Sequence, residues 1–416
     1  MSGVDGLQCY LVGGAVRDRL LGLPVKDRDW VVVGATPDDM LTRGFKQVGN
    51  DFPVFLHPHN GEEYALARVE RKMGQGHGAF EFDTSASVTL EEDLSRRDLT
   101  VNAIAEASDG TLIDPFGGVD DVNARQLRHV SDAFIEDPLR VLRAARFAAR
   151  FAAMNFTIDV DTIRIMSDMS ASGELATLSV ERVWSETERA LATDAPVQFF
   201  KILRACGALA ALFPEIDALF GVPQPEKWHP EIDTGVHTFM VLERASEMTD
   251  SPVVRFAALV HDLGKAATPE DQWPSHRGHE ATGADLVDAL CERLRAPKRY
   301  QQLARVVAAY HLHCHRAFEL RAQSILKLFD NLGAFRDPQR LEAFLLACEA
   351  DAKGRTGLEN RDYPQSAYLQ EAFAAANSID NASIAAEGHT GAAFGEALHK
   401  ARMNAVRAVK ERASAG

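Results

Sequence analysis

The stretch Leu11–Val33, LVGGAVRDRLLGLPVKDRDWVVV, constrains this chain more than any other. It demands a strand, a glycine turn, a helix and a second strand in quick succession. Tyr10, Leu11 and Val12 form a short apolar run of strand character that stops at Gly13-Gly14. Two glycines there allow positive φ and close approach of the backbone to a ligand. A helical pattern follows at Val16, Leu20 and Leu21. The N–H groups of its first turn therefore point at whatever sits over Gly13 and Gly14, a ready anion site. Arg17 adds a positive fork beside it. Asp27 to Val33 is strand-like by its β-branched content, and side chains two apart on a strand share a face. Asp27 and Asp29 are thus expected to converge.

Two carboxylates on one face repel unless a cation lies between them. Mg²⁺ fits, because it binds through one or two carboxylates and completes its shell with water and substrate phosphates. An isolated Asp-x-Asp is usually a solvated turn; a Gly-Gly turn and Arg17 just upstream change the reading. Glycine turn, helix and Asp-x-Asp on a strand is the layout of a nucleotidyltransferase palm, where metal ions activate a hydroxyl and hold a triphosphate for in-line attack.

LVGGAVRD followed by KDRDWVVVG resembles the head of the bacterial CCA-adding enzymes, tRNA nucleotidyltransferases of the class that includes bacterial poly(A) polymerases. That resemblance makes the metal at Asp27 and Asp29 a catalytic Mg²⁺, with Gly14 and Arg17 at the nucleotide.

Beyond the head, a chain of 416 residues is expected to hold two to four units. MSGVDGLQCYLVGG lacks the basic region and apolar core of a signal peptide, and no run has the length of a membrane span. Cys9, Cys206, Cys291, Cys314 and Cys348 are odd in number and scattered, as expected of reduced thiols in a cytoplasm. The net charge of −15 opposes a nucleic-acid partner, since Lys and Arg drive phosphate binding. Local clusters answer it: Arg140, Arg143, Arg146 and Arg150; then Arg293 to Arg305; then Lys400 to Arg412. Such a protein should bind structured RNA selectively, and weakly at high salt.

After Val33, Thr36-Pro37 starts a helix, and strands are expected at Phe45–Val48, Val54–Leu56 and Tyr64–Arg68. Glu70 is either a third metal carboxylate or a surface residue. Lys72 to Ser87, rich in Gly and Ser, reads as a mobile loop. Leu94 to Ala105, LSRRDLTVNAIA, carries a helical apolar pattern with charged ends. RRDLTVNA also resembles the family motif at the ribose and phosphates of the incoming nucleotide, which implicates Arg97, Asp98 and Asn102.

Glu136 to Phe151, EDPLRVLRAARFAARF, starts a helix at Asp137-Pro138. Arg140, Arg143, Arg146 and Arg150 fall within roughly 120° on it, opposite Val141, Leu142, Ala145, Ala148 and Ala149. A carboxylate accepts from the exocyclic amine that cytosine and adenine share, and Arg donates to their ring acceptors, whereas G and U present the reverse. An Asp and an Arg three apart could therefore select C and A without a template. The EDxxR match to the family implies that Asp137 and Arg140 do so, with Arg143 and Arg146 holding the nucleotide.

Ile158 to Pro214 is helical by period, and the prolines of Pro214 to Pro230 mark a boundary. Past it, His237 opens an apolar helix, and Val253 to Val260 leads into His261-Asp262-Leu263-Gly264-Lys265, with Gly264 ending that helix. His279, the histidines of YHLHCH and Asp351 follow. Imidazoles and carboxylates in this pattern suit a divalent metal that activates water on a phosphoester. The pattern resembles the HD phosphohydrolase domain, whose H…HD…D set falls on His237, His261, Asp262 and Asp351. His261 and Asp262 would be catalytic, the metal Ni²⁺ or Mg²⁺, and His279 and His311 extra ligands.

The resemblance spans most of the chain. It implies an α+β head, with a small mixed sheet and helices, followed by an all-α neck, HD domain and tail. The expected segments are 1–130 (head), 131–215 (neck with the nucleotide-recognition helix), 216–340 (HD) and 341–416 (tail). Its implied activity is addition of C, C and A to tRNA from CTP and ATP, with cyclic phosphodiesterase, 2′-nucleotidase and phosphatase activities in the HD part. Expected partners are tRNA, ATP and CTP, with no membrane, in a cytoplasmic monomer or homodimer. A poly(A) polymerase, or an HD phosphohydrolase with a nucleotide-sensing head, remains open.

Overall fold

The apolar runs on either side of Gly13-Gly14 pair with each other: β1 (Gln8–Val12) lies antiparallel to β2 (Asp29–Val33), with Val12 opposite Asp29. This register puts Asp29 beside the glycine turn. The computed structural model describes residues 4–48, 54–72, 80–83 and 85–415. It divides into two units, Met1–Ala190 with Gln198–Leu212, and Leu191–Val197 with Phe213–Gly416.

In the first unit, β1 and β2 are the centre of a seven-stranded mixed sheet. β3 (Lys46–Val48), β4 (Val54–Leu56) and β5 (Glu63–Leu66) extend it on the β2 side, with β5 parallel to β2. β6 (Val69–Lys72) and β7 (Phe80–Asp83) form a separate hairpin, and β8 (Ala105–Glu106) and β9 (Leu112–Ile113) complete the sheet beside β1. Alternation along β2 covers both faces: Val31 packs with Leu94 and Ala103, Val32 with Phe45, Phe55 and Tyr64. The expected loop from Lys72 is thus strand-paired at both ends. Residues 73–79 and the Glu70 side chain lie outside the described residues.

The expected helix over Leu94–Ala105 is broken. Leu90–Ser95 is helical, Thr100–Asn102 is a 3₁₀ turn, and β8 begins at Ala105. Leu94, Leu99, Val101, Ala103, Ile104 and Ala105 are all buried, a set too crowded for one helical stripe. Asp98 stops the helix by accepting from the Leu99 N–H with its own Oδ1, 2.9 Å. The expected amphipathic helix over Leu139–Arg150 forms, with Val141, Leu142, Ala145, Ala148 and Ala149 in the core. Four helices follow, from Val160 to Leu212.

The second unit is helical. Thr234–Met248, Pro252–Leu259, His279–Arg293, Lys298–His315 and Gln339–Lys353 pack around one another, followed by Pro364–Asn377, Asn381–Ala386 and Gly391–Ala415. Arg255, 1% exposed, ties the segment at Leu191 to this unit by donating to the carbonyls of Leu191, Thr193, Ser246 and Thr249. No helix among the described residues is long and apolar enough to cross a membrane, and the five cysteines are free.

Gly264 does not end the helix that precedes His261. That helix stops at Leu259, and Gly264 sits in the 3₁₀ turn Leu263–Ala267. The glycine is needed for packing: a Cβ there would lie 2.0 Å from the His279 carbonyl oxygen and 2.7 Å from the Gly283 nitrogen. Both obstacles are backbone, so they cannot rotate away. Gly264→Ala is expected to cost about 3 kcal/mol, read as a lower denaturant midpoint for the helical unit with the first unit's transition unmoved.

Candidate functional site

The glycine turn, the 3₁₀ turn at Asn102 and the helix Leu139–Arg150 enclose a cavity of about 490 Å³ in the first unit. Nine arginines and three aspartates line it, which resolves the charge objection locally. Gly13 adopts φ 68°, and a Cβ there would meet the Arg97 guanidinium at 2.9 Å, so glycine lets that charge approach the turn. Asp29 lines the cavity wall. Burial raises its carboxyl above the usual range; Arg97 opposes that, and the charge of Asp27 adds to it. Asp27 precedes β2 in chain without regular secondary structure, rather than lying within the strand. The two carboxylates offer only oxygen and act on each other as like charges, a chemistry that fits a hard divalent cation.

The sequence-selected arginines do different jobs. Arg17 is 2% exposed and wedged between Phe147 and Phe151, its guanidinium 5.0 Å from each ring centre. It donates to Asp18 and Asn102, so it braces the site instead of presenting a free fork. Asn102 Nδ2 in turn donates to Asp98 Oδ1, 2.9 Å. Arg143 donates to Asp98 Oδ2 at 2.7–2.8 Å. Arg97 pairs with Asp93, and Arg146 with Glu186. Arg140 directs both terminal nitrogens at backbone carbonyls, those of Ala133 and Arg96.

Asp137 caps the helix as its position promised, with Oδ1 accepting from the Leu139 N–H at 3.1 Å. Its other oxygen accepts from Arg182, 2.9 Å away on the helix Val180–Leu191. Arg182 and Glu186 were missed in the sequence. Their only signal is a spacing of four residues on an amphipathic helix, common to solvated faces.

Burial alone would raise the Asp98 carboxyl, but Arg143 and the Asn102 amide hold it well below the usual carboxylate range. A depressed carboxyl stabilises the fold above its unfolded value, about 3.9, and that contribution is lost as pH falls through the folded value. The acid limb of the first unit's stability, below about pH 4, is therefore expected to be shallower in Asp98→Asn than in the wild type. Thermal melts across that range check it.

In the second unit, His237, His261, Asp262, His279, His311 and Asp351 are all buried and converge from five segments. His237 Nε2 lies 3.1 Å from Asp351 Oδ1, and His261 Nε2 lies 3.1 Å from Asp262 Oδ2. His279 and His311 Nε2 lie 3.3 and 3.5 Å from Asp262 Oδ1. Burial holds the His311 imidazole down to about 3, in its uncharged, metal-binding form. His261 Nε2 and Asp262 Oδ1 are buried without a hydrogen-bond partner, a cost that coordination to a cation removes. Among the YHLHCH histidines, His311 and His315 face this cluster and His313 is exposed.

Unforeseen neighbours complete the cluster. Glu231 Oε1 accepts from His237 Nδ1 at 2.9 Å and also meets His229, so these three groups form a hydrogen-bonded triad that orients His237. Lys265 donates to Asp262 Oδ2 and Gln224, and Arg355 to Asp351 Oδ1. A cavity of about 500 Å³ opens beside them, lined by Trp228, Lys265, Arg316, Arg355, Arg361 and Tyr363 among others. Cationic walls with two aromatic faces suit a nucleotide-sized anion.

Three family descriptions match the chain in order: the Poly A polymerase head domain over residues 9–128, the probable RNA and SrmB-binding site of polymerase A over 155–220, and the HD domain over 234–347. The sequence is 56% identical over 405 residues to the "Multifunctional CCA protein" of Hahella chejuensis, covering 97% of this chain and 96% of that one. The fold is similar to the Bacillus stearothermophilus CCA-adding enzyme in complex with CTP, with a TM-score of 0.64 at 24% identity over 99% of this chain and 95% of that one. It is also similar to the Thermotoga maritima CCA-adding enzyme complexed with tRNA, with a TM-score of 0.63 at 20% identity over 100% and 93%.

Proposed function

This chain belongs to the multifunctional CCA proteins, and from that premise we propose how its two centres divide the work. The protein adds C, C and A to the 3′ end of tRNA from CTP and ATP, without a template. The tRNA 3′-oxygen bonds to the α-phosphorus of the nucleotide, and pyrophosphate leaves. The observation that carries this for the first unit is the arginine-lined cavity with Asp29 in its wall.

Asp27 and Asp29 would hold Mg²⁺, which when bound polarises the reacting oxygens and neutralises the triphosphate. Gly13 and Gly14 leave room for phosphates against the backbone, and Arg97, Arg143 and Arg146 face them. Asp137 and Arg140 read the base. In the free protein their polar atoms are engaged by Arg182 and by the carbonyls of Ala133 and Arg96. Nucleotide entry exchanges those bonds for bonds to the amine and ring acceptors shared by C and A.

The second unit hydrolyses phosphoesters. Its histidine–aspartate cluster, beside a cationic cavity, supports 2′,3′-cyclic phosphodiesterase, 2′-nucleotidase and phosphatase activities. His237, His261, Asp262 and Asp351 would hold a divalent metal that supplies Lewis acidity. Lys265 and Arg355 orient the carboxylates, and Arg316 and Arg361 draw in the anion. Both activities act on RNA ends, and the cytoplasm is where those substrates and five free thiols belong.

The test is to offer tRNA ending before CCA with each labelled nucleotide. Addition stopping after C, C and A is expected. A long A tail would point to a poly(A) polymerase and overturn the assignment.

A further inference from the structure

The cavity of about 500 Å³ in the second unit has two chemically different sets of lining groups. The first is ionic: His279, His315, Lys265 and Arg355 line it, and each meets an oxygen of Asp262 or Asp351. A phosphoester bound for hydrolysis has its phosphorus beside these groups. The second set is apolar and comprises Pro225, Trp228 and Pro274. Pro225 and Trp228 belong to one turn, in which the Trp228 N–H donates to the Pro225 carbonyl at 3.0 Å.

Trp228 is 56% exposed and is the bulkiest exposed apolar side chain among the described residues. A lone apolar residue on open surface needs no explanation, but the backbone of this one is held to the catalytic cluster. Its carbonyl accepts from Arg355 Nη1 at 3.3 Å, and Arg355 Nη2 donates to Asp351 Oδ1 at 2.9 Å. The next residue, His229, is buried and meets Glu231, which also holds His237. Trp228 is thus pinned through both Asp351 and His237, while its indole stays unburied in the cavity wall. Lys227 Nζ lies 4.6 Å from the ring centre. An indole more than half exposed, with a cation over one face, keeps surface for a flat ligand. Tyr363, the other aromatic of the wall, does not. It is 8% exposed, and its hydroxyl meets His315 Nδ1 at 2.8 Å and donates to Cys314 Sγ at 3.3 Å.

We propose that Trp228 stacks on the base of the nucleotide whose phosphoester the cluster hydrolyses, and so makes the second unit selective for nucleoside phosphoesters over base-free ones. The inference rests on reading the cluster as a phosphoesterase and deepens it by naming the side chain that recognises the substrate. Every base has a π face, so stacking accepts all four without reading their edges. Purines should lead pyrimidines, because the larger ring covers more of the indole.

Full-length protein is assayed with adenosine 2′,3′-cyclic phosphate and with glycerol cyclic phosphate, which carries the same cyclic diester and no base. The wild type should favour the nucleoside by about ten- to hundredfold in kcat/KM. Trp228→Ala and Trp228→Leu should remove most of that preference by raising KM for the nucleoside, since leucine keeps apolar bulk without a π face; Trp228→Phe should keep most of it. The wild-type preference is read without any variant, so it tests base recognition even if a variant fails to fold. A wild type that hydrolyses both esters equally well, or a preference that survives the alanine and leucine changes, overturns the stacking and leaves the phosphoesterase reading standing. A loss that falls on both esters alike makes Trp228 a support of the cluster and overturns it too. Hydrolysis of neither ester by the wild type overturns the phosphoesterase reading itself, and the stacking with it.

Discussion

Alanine at Asp29 is expected to lower CMP and AMP incorporation into tRNA at least about a thousandfold, because under the proposed assignment it removes a ligand from a metal that would supply several kcal/mol to the transition state. The same change should leave stability intact or slightly higher. Burial and the charge of Asp27 raise the Asp29 carboxyl, Arg97 offsets part of that, and the residue is exposed at the start of its strand, so its loss is expected to move the melt little. Hydrolysis of a nucleoside 2′,3′-cyclic phosphate should be unaffected, since the histidine cluster belongs to the other unit. Single-turnover incorporation with labelled CTP and with labelled ATP, alongside a melt, distinguishes a catalytic role from a structural one. Residual addition within about tenfold of wild type would remove Asp29 from the metal site.

The mirror experiment is His261→Ala. Its Nδ1 is fixed by the Ala258 carbonyl, which aims Nε2 at Asp262 and Asp351; alanine deletes that imidazole, a metal ligand under the proposed assignment, from the middle of the cluster. Cyclic phosphate hydrolysis is expected to fall by about a thousandfold or more, while nucleotide addition persists. A substitution in either centre that abolished both activities would sink the two-centre reading. Loss of only the expected activity in each variant, measured on the same tRNA preparation, would establish it.

Much of the fold was legible in advance because its signals are local. The β-branched run after Asp29, the Thr36-Pro37 helix start and the stripe opposite Arg140 to Arg150 each depend on neighbours within a few residues, and the structure has them. Leu94–Ala105 was misread as one helix because its period is helical, but six of its side chains are buried in the first unit. Gly264 was misread as a helix end because glycine at a terminus and glycine at a backbone crossing leave the same letter. The carbonyl that excludes a side chain there belongs to His279.

The sequence by itself determined which chemistry the chain carries: Asp27 and Asp29 beside Gly13-Gly14, acid and arginine at the start of a helix, and histidines with aspartates at metal-binding intervals. Those are properties of residue type and short spacing. Tertiary structure alone decided what each group is free to do. Arg17 lies between two phenylalanines, Arg140 on two carbonyls, and Arg182 on the Asp137 carboxylate at the start of the helix Leu139–Arg150. The helices that carry His237, His261, His279 and His311 bring each Nε2 to a buried carboxylate of Asp262 or Asp351. The physical reason is directional. A hydrogen bond depends on where donor and acceptor meet in space, and several of these partners meet across tens of residues of chain.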